Sequence, residues 1–225
     1  MKVLLLGATG RTGKMVLQIA VEKGYELNCL VRNSKKICKK YKKINIFEGS
    51  PKTISDLEKA LQGCEIIISV LNISRKSDFP WSKLRTPVTF LSDVMSNIIE
   101  LSEKYNIKRI LVCSAWGVSE TKNDIPKWFK WLIDNSNISV AYKDHERQEE
   151  LLKRTSLPWT IIRPTGLTNS KKEQNILESY ENRPKPKMTI SRLSVAKFMV
   201  NSIKEDKLIW QSPIISGNFN SIKLI

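Results

Sequence analysis

The chain is 225 residues long and carries 38 Lys and Arg against 22 Asp and Glu, a formal charge of +16. Apolar residues make up 41% and recur in runs along the whole length, enough for a sizeable core and incompatible with disorder as the main state. Four scattered cysteines and a single histidine exclude a CxxC knuckle or redox pair, so no metal is expected. The thiols read as reduced, in a soluble cytoplasmic protein with no membrane-spanning run.

Lys2–Leu6 is a short run of Val and Leu and reads as a buried strand. Gly7-Ala8-Thr9-Gly10-Arg11-Thr12-Gly13 turns the chain, after which Met15, Val16, Ile19 and Ala20 recur at helical spacing, with Gly24 as the stop. Leu27–Val31 and Ile44–Phe47 are the next strands. Thr53–Asp56 opens a helix with Leu57, Ala60 and Leu61 on one face, ended by Gly63. Glu65–Leu71 is the most continuous apolar strand; a loop with Pro80 and Trp81 follows, then a long helical pattern from Val88 to Leu101. Arg109–Cys113 is a fifth strand, Asp144–Thr155 a charged helix and Trp159–Ile162 a sixth strand. The C-terminal third departs from this rhythm. Lys171–Lys187 is polar and reads as an excursion or lid, before a short strand at Met188–Ile190, a helix over Ser194–Lys204 and a last strand at Pro213–Ser216.

Strands apolar on both faces, alternating with helices, predict an α/β fold, a Rossmann-like doubly wound parallel sheet. The chain reads as a single domain over residues 1–225, with a small C-terminal substrate lobe from about residue 165.

The turn GATGRTG has glycines at 7, 10 and 13, between a strand and a helix. Gly7 permits a tight exit from the strand. Gly10 lets a pyrophosphate approach the backbone, and Gly13 lets the helix pack close to the sheet. The helix N-terminus offers free N–H groups to phosphates, and the Thr9 and Thr12 hydroxyls can add to them. The choice of dinucleotide turns on the end of the second strand. There the chain reads Val31-Arg32-Asn33, with no acid to bind ribose hydroxyls. Arg32 can clamp a 2′-phosphate, Arg11 can approach it, and Lys35 and Lys36 are close enough to help, so NADP(H) is the expected cofactor. Arg32 and Asn33 join the glycine turn as cofactor residues.

Charge location supports this choice. Arg32, Lys35, Lys36, Lys39, Lys40, Lys42 and Lys43 fall within twelve positions free of acid, and the remaining excess is diffuse. No recognition helix or aromatic-interleaved motif accompanies the window, so nucleic acid is not the expected partner. A small-molecule substrate is, with the chain a monomer or dimer. Trp81, Trp116, Trp128, Phe129 and Trp131 fall in loops toward the same end of the sheet. They form either an aromatic platform for a planar acceptor or ordinary packing.

The segments MKVLLLGATGRTG, LVRN, ALQGCEIIISVL, KRILVCSAWGV and LPWTIIRPTGL occur in that order over roughly residues 1–205. Together they resemble the atypical short-chain dehydrogenase/reductases of the NAD(P)H-binding, NmrA-like type, which include flavin reductase/biliverdin-IXβ reductase. The resemblance implies that Gly7, Thr9, Gly10, Arg11, Thr12 and Gly13 cradle the pyrophosphate and that Arg32 faces the 2′-phosphate. It further implies that Val70 and Leu71 line the adenosine and ribose, that Ser114 stands near the nicotinamide, and that Pro164 and Thr165 border its pocket. Three positions depart from the family pattern. Gly49-Ser50 stands where many relatives have Gly-Asp, and Gly166 replaces the histidine that flavin/biliverdin reductase carries. The Tyr-x-x-x-Lys of typical members is absent: alignment places Ala141 and His145 there, with Tyr142 about 100° away around the helix.

His145, Ser114 and Tyr142 are therefore the catalytic candidates, and Glu149, one turn beyond His145, is placed to orient the imidazole. The flanking carboxylates equally suit a surface histidine. Loss of Tyr and Lys weakens the case for ketone chemistry more than for hydride transfer to a flavin or quinone, which depends chiefly on placement. The expected function is an NADPH-dependent oxidoreductase acting on a small planar acceptor. The alternative is a non-catalytic NADP(H)-sensing, NmrA-like regulator that binds a protein partner.

Overall fold

In β1 (Lys2–Leu6), Val3 and Leu5 point to one face, Leu4 and Leu6 to the other, and all four are fully buried. A strand with no polar face must lie inside a sheet covered on both sides. The computed structural model describes residues 1–37, 41 and 43–218; Cys38, Lys39, Lys40 and Lys42 lie outside the described residues.

Helix α1 (Arg11–Glu22) follows the glycine turn, and β2 (Glu26–Val31), β3 (Ile44–Glu48), α2 (Ile54–Leu61) and β4 (Ile66–Ser69) come next. Then follow α3 (Phe90–Lys104), β5 (Arg109–Cys113), α4 (Lys127–Asp134), α5 (Ile138–Lys153) and β6 (Trp159–Pro164). The C-terminal third adds β7 (Gly166–Thr168), β8 (Asn175–Ser179), β9 (Thr189–Ser191), α6 (Arg192–Asn201) and β10 (Ile214–Asn218). The main sheet runs β3-β2-β1-β4-β5-β6-β10-β8, parallel throughout except for β8 against β10, and β7 pairs with β9 in a separate ribbon. This is the Rossmann-like, doubly wound arrangement expected.

Two apolar layers cover the sheet. Val16, Leu17 and Ala20 of α1 and Val195, Phe198 and Met199 of α6 fill one side. Leu57 and Leu61 of α2, Val94, Met95 and Ile98 of α3 and Leu152 of α5 fill the other. A smaller cluster joins Trp116, Ile125, Ile133 and Ile214.

Several elements differ from expectation. The fourth strand is shorter than the apolar run, ending at Ser69, because the sheet order reverses here and the chain must leave it. Helix α3 begins at Phe90, leaving Val88 exposed. The polar stretch 171–187 contributes β8, which holds the sheet edge; an edge strand is half exposed, so it needs no apolar pattern. Helix α5 starts six residues before Asp144, and α4 forms where loops were expected. Among the described residues no helix is long and apolar enough to cross a membrane.

Candidate functional site

The strands β2 and β4 flank β1 on opposite sides, so successive crossovers diverge there and open a crevice at the carboxyl ends of the strands. A cleft of about 390 Å³ occupies it. Gly7 and residues 9–13 form one wall. Leu30, Val31 and Arg32 close one end, Val70 and Leu71 the floor, and Ser114, His145, Leu167 and Arg192 stand toward the other.

The glycine turn is built for backbone approach. Gly7 has φ +87° and lies against the Val70 carbonyl, where a Cβ would sit 2.9 Å from the oxygen. At Gly13 a Cβ would fall 2.0 Å from the Gly7 carbonyl oxygen, so the first turn of α1 can rest on the strand exit only without a side chain. Gly10 caps α1 in extended conformation, its N–H bonded to Gly7 O at 2.9 Å, and no side chain caps the helix. The N–H groups of the first turn are thereby left to face the cleft, with the positive end of the helix dipole behind them. This cradle fits the phosphates of a dinucleotide.

At the end of β2, Arg32 is exposed, borders the cleft and makes no hydrogen bond or ion pair among the described residues. Asn33 does not line the cleft. Its Oδ1 accepts from Lys35 N–H at 2.9 Å and caps the 3-10 turn 34–36 that carries Lys35 and Lys36. Glu48, at the end of β3, stands beside this segment without lining the cleft, and its Oε2 accepts from Ser34 N–H at 3.0 Å. Hydrogen bonding from Ser34, first from its side chain and then from its N–H, holds the Glu48 carboxyl below the usual range. Arg11, expected on the phosphate, is instead forked onto Asp78 at 2.7 and 2.8 Å. Asp78 belongs to a strap, residues 72–89, braced by Ser74 N–H to Thr86 Oγ1 (3.0 Å) and tied at its tip by the Trp81 indole to Asn135 O (2.7 Å). Both partners of the Arg11–Asp78 pair are largely exposed, so it is a weak closure across the cleft mouth.

The opposite end is buried and polar. Helix α5 buries Asp144, His145, Gln148 and Glu149 on one face. Asp144 accepts from Leu91 N–H (2.6 Å), Ser92 N–H (3.3 Å) and Ser92 Oγ (2.6 Å), capping α3 and fixing α5 against it. His145 is thereby carried to the cleft at 2% exposure, and burial pushes its imidazole down to about 4 despite the nearby Glu149 and Asp144. The ring is neutral at pH 7, and its Nδ1 has no hydrogen-bond partner among the described residues. Glu149 does not orient it, because that carboxylate is committed elsewhere. Oε1 accepts from Ser114 Oγ (2.6 Å) and Arg163 Nε (3.1 Å), and Oε2 from Ser119 Oγ (2.9 Å) and the remaining arm of Arg163. Arg163, also buried, holds Glu120 at 2.8 Å. Burial would raise the Glu120 carboxyl, but the hydrogen bond from Arg163 outweighs it and holds the group at about 2.

Of the expected residues, Gly7, Thr9, Gly10, Arg11, Thr12, Gly13, Arg32, Val70, Leu71, Ser114 and His145 border the one cleft. Tyr142 lies elsewhere: its hydroxyl donates to Trp116 O at 3.2 Å, and its ring lines a separate small hollow with Gly117, Ile125 and Ile133. Pro164 ends β6, its carbonyl accepting from Trp116 N–H at 3.0 Å. Thr165 is buried beside it, bonded through N–H to Ile215 O, its hydroxyl without a partner among the described residues. None of the five aromatics read as a possible platform borders the cleft. Trp116 is buried in the third apolar cluster, and Trp81, Trp128 and Trp131 are exposed. Phe90 and the strap residues Asn72, Ser74, Arg75 and Asp78 line the cleft without any local sequence signal. Cys113 borders it too, its thiol pushed up to about 12 by burial and thus unreactive.

Residues 7–206 match the model of a family described as NAD(P)H-binding. The chain is 27% identical over 192 residues to the photosystem II assembly factor Ycf39 of Trieres chinensis, covering 82% of this chain and 51% of that protein. It spans between 46% and 66% of the length of the curated relatives it matches. Among solved structures, a wide-type short-chain dehydrogenase/reductase from Veillonella parvula in complex with NADP superposes with a TM-score of 0.78 at 19% identity, covering 97% of this chain and 95% of that one. ChuY, an anaerobillin reductase from Escherichia coli O157:H7, superposes with a TM-score of 0.79 at 17% identity, covering 98% and 99%. Identities this low establish the shared fold.

Proposed function

This chain belongs to the NAD(P)H-binding family of short-chain dehydrogenase/reductase-like, NmrA-like proteins, and we propose that it is an oxidoreductase using NADPH to reduce a small planar acceptor such as a flavin or quinone. The observation that carries the proposal is the continuity of the cleft. It runs from an arginine with no partner among the described residues, past a helix N-terminus that no side chain among them caps, to a buried serine and a neutral histidine.

In this reading the first-turn N–H groups of α1, with Thr9 and Thr12, hold the pyrophosphate. Arg32 holds the 2′-phosphate, aided by Lys35 and Lys36 on the turn that Asn33 caps. Val70 and Leu71 pack against the adenosine and ribose, Ser114 and His145 meet the nicotinamide end, and Pro164 and Thr165 back that end. The bound cofactor supplies the hydride. The protein aligns the acceptor and excludes water, which suits chemistry without a strong protein acid. Neutral His145 keeps one N–H and one lone pair, so it can donate to a reduced acceptor without first being charged.

Titration with NADPH and NADH tests the cofactor choice: tighter NADPH binding is expected, and equal or tighter NADH binding rejects it. NADPH oxidation assayed with FMN, quinones and small carbonyls tests the reaction, and no turnover above background with any of them rejects it. A second reading, an NADP(H)-dependent regulator that binds a protein partner, draws on the exposed Phe79, Trp81, Trp128 and Trp131 outside the cleft and on the likeness to an assembly factor. It predicts tight NADP binding, no turnover and a partner whose capture changes with NADP.

A further inference from the structure

We infer that Ser114 acts on the cleft as a hydrogen-bond acceptor and not as a proton donor, and that Glu149 is the positioning residue that sets this polarity. The inference rests on the reading of the cleft as a dinucleotide site.

Glu149 is 1% exposed and faces Arg163, 1% exposed, through both carboxylate oxygens. A guanidinium has five donors, no acceptor and a permanent charge, so the facing carboxylate is acceptor-only. The 2.6 Å contact between Ser114 Oγ and Glu149 Oε1 must then use the serine proton. A hydroxyl has one proton, and here it is spent behind the site. Toward the cleft, which Ser114 borders, the oxygen has lone pairs alone.

The carboxylate cannot easily turn away. Its other oxygen accepts from Ser119 at 2.9 Å, Lys153 stands 3.9 Å off, and Arg163 is braced from behind by Glu120. Ser119 itself holds φ +52°, a left-handed backbone rarely adopted by serine. Four donors on two oxygens leave one arrangement of protons.

A group that fits this serine is an N–H or O–H donor. Two sources offer one: the carboxamide of the nicotinamide, or a ring N–H on the acceptor. A ketone or quinone oxygen at this position would meet lone pair against lone pair. Proton delivery, where the acceptor needs it, is left to His145 or water.

The first arm of the test compares affinities for NADP and its 3-acetylpyridine analogue, in which a methyl ketone replaces the carboxamide, by titration calorimetry. The second arm compares KM for a flavin, which carries a ring N–H, with KM for a quinone, which does not. Wild type should favour the donor-bearing ligand in one arm by roughly five- to tenfold, the usual worth of one such bond. Ser114→Ala should abolish that preference. Ser119→Ala, which removes a donor to the same carboxylate but does not border the cleft, should keep it. Glu149→Gln should likewise remove the preference, so that adding Ser114→Ala changes it no further, a non-additivity that a merely structural Glu149 does not give.

Loss of preference in the first arm identifies the carboxamide as the donor, and loss in the second identifies the acceptor; either supports the inference. Unchanged ratios for Ser114→Ala in both arms overturn it. A folded Glu149→Gln with wild-type ratios overturns the positioning role. Should Glu149→Gln not fold, the Ser114→Ala and Ser119→Ala contrast still decides the polarity. Absence of NADP binding by wild type overturns the dinucleotide reading and this inference together, whereas NADP binding with unchanged ratios overturns this inference alone.

Discussion

The two ends of the cleft are built on opposite logics. At the phosphate end, the glycine turn works through backbone: three positions without side chains, a strand before, a helix after and no capping residue. Everything it needs lies within seven consecutive residues. At the other end, the buried face of α5 works through side-chain charge, and each charge is answered from far along the chain. Asp144 meets α3, and Glu149 meets Ser114 and Arg163. The difference teaches that a site made of backbone is written locally, whereas a site made of buried charge is written in the contacts.

The largest expected effect breaks the second end. Arg163→Met leaves Glu149 buried without its counter-charge, and should cost about 3–5 kcal/mol in denaturant unfolding. A cost near zero would mean that the network is not held as a unit.

Next, Gly13→Ala breaks the first end. Its Cβ would lie 2.0 Å from a backbone oxygen that no rotamer change can move. About 3 kcal/mol of stability should go, as overpacking costs, along with dinucleotide binding. Wild-type melting and titration curves would show that the turn is looser than described.

His145 separates the two logics by pH. Burial holds its imidazole at about 4, below the 6.5 of an exposed ring, so between those values the unfolded chain binds the extra proton. The stability it protects is complete above pH 6.5 and is lost as pH falls to about 4, on the order of 3 kcal/mol in all. His145→Gln should flatten that part of the stability–pH curve, measured by urea unfolding at several pH values.

Arg32→Ala sharpens the cofactor side. It should weaken NADPH binding by roughly ten- to a hundredfold, the loss of one charge-assisted pair, and leave NADH binding nearly unchanged. A parallel loss for NADH would deny Arg32 a phosphate.

Smallest is Asp78→Asn. The exposed pair with Arg11 contributes under about 1 kcal/mol, so melting should hardly move. Freed from its partner, Arg11 should strengthen NADPH binding slightly, by less than about fivefold. Weaker binding would make the strap a support of the site and not a competitor for Arg11.

The same contrast explains what could be read in advance. Val3, Leu4, Leu5 and Leu6 announce a doubly covered strand because burial on both faces leaves nowhere for a polar residue. Gly7, Gly10 and Gly13 announce the cradle for the reason the structure makes explicit, that a Cβ would strike backbone. Glu48 was not legible, since β3 is brought beside the end of β2 by sheet register. Nor was β8, whose half-exposed edge position asks for no hydrophobic pattern. The helix carrying Asp144, His145 and Glu149 has the composition of a solvated surface. Only the partners that neutralise it, contributed by α3, β6 and the residues after β5, turn that face inward.

By itself, then, the amino-acid sequence determined the parallel α/β sheet, the glycine turn between β1 and α1, and an arginine free of local acid at the end of β2. These depend on periodicity and backbone sterics, which act between near neighbours. The tertiary structure decided which charges are buried, that Arg11 is engaged by Asp78, and that the Ser114 hydroxyl is bonded to Glu149. Those depend on desolvation and pairing, and a charge can leave water only where the fold brings its partner to it.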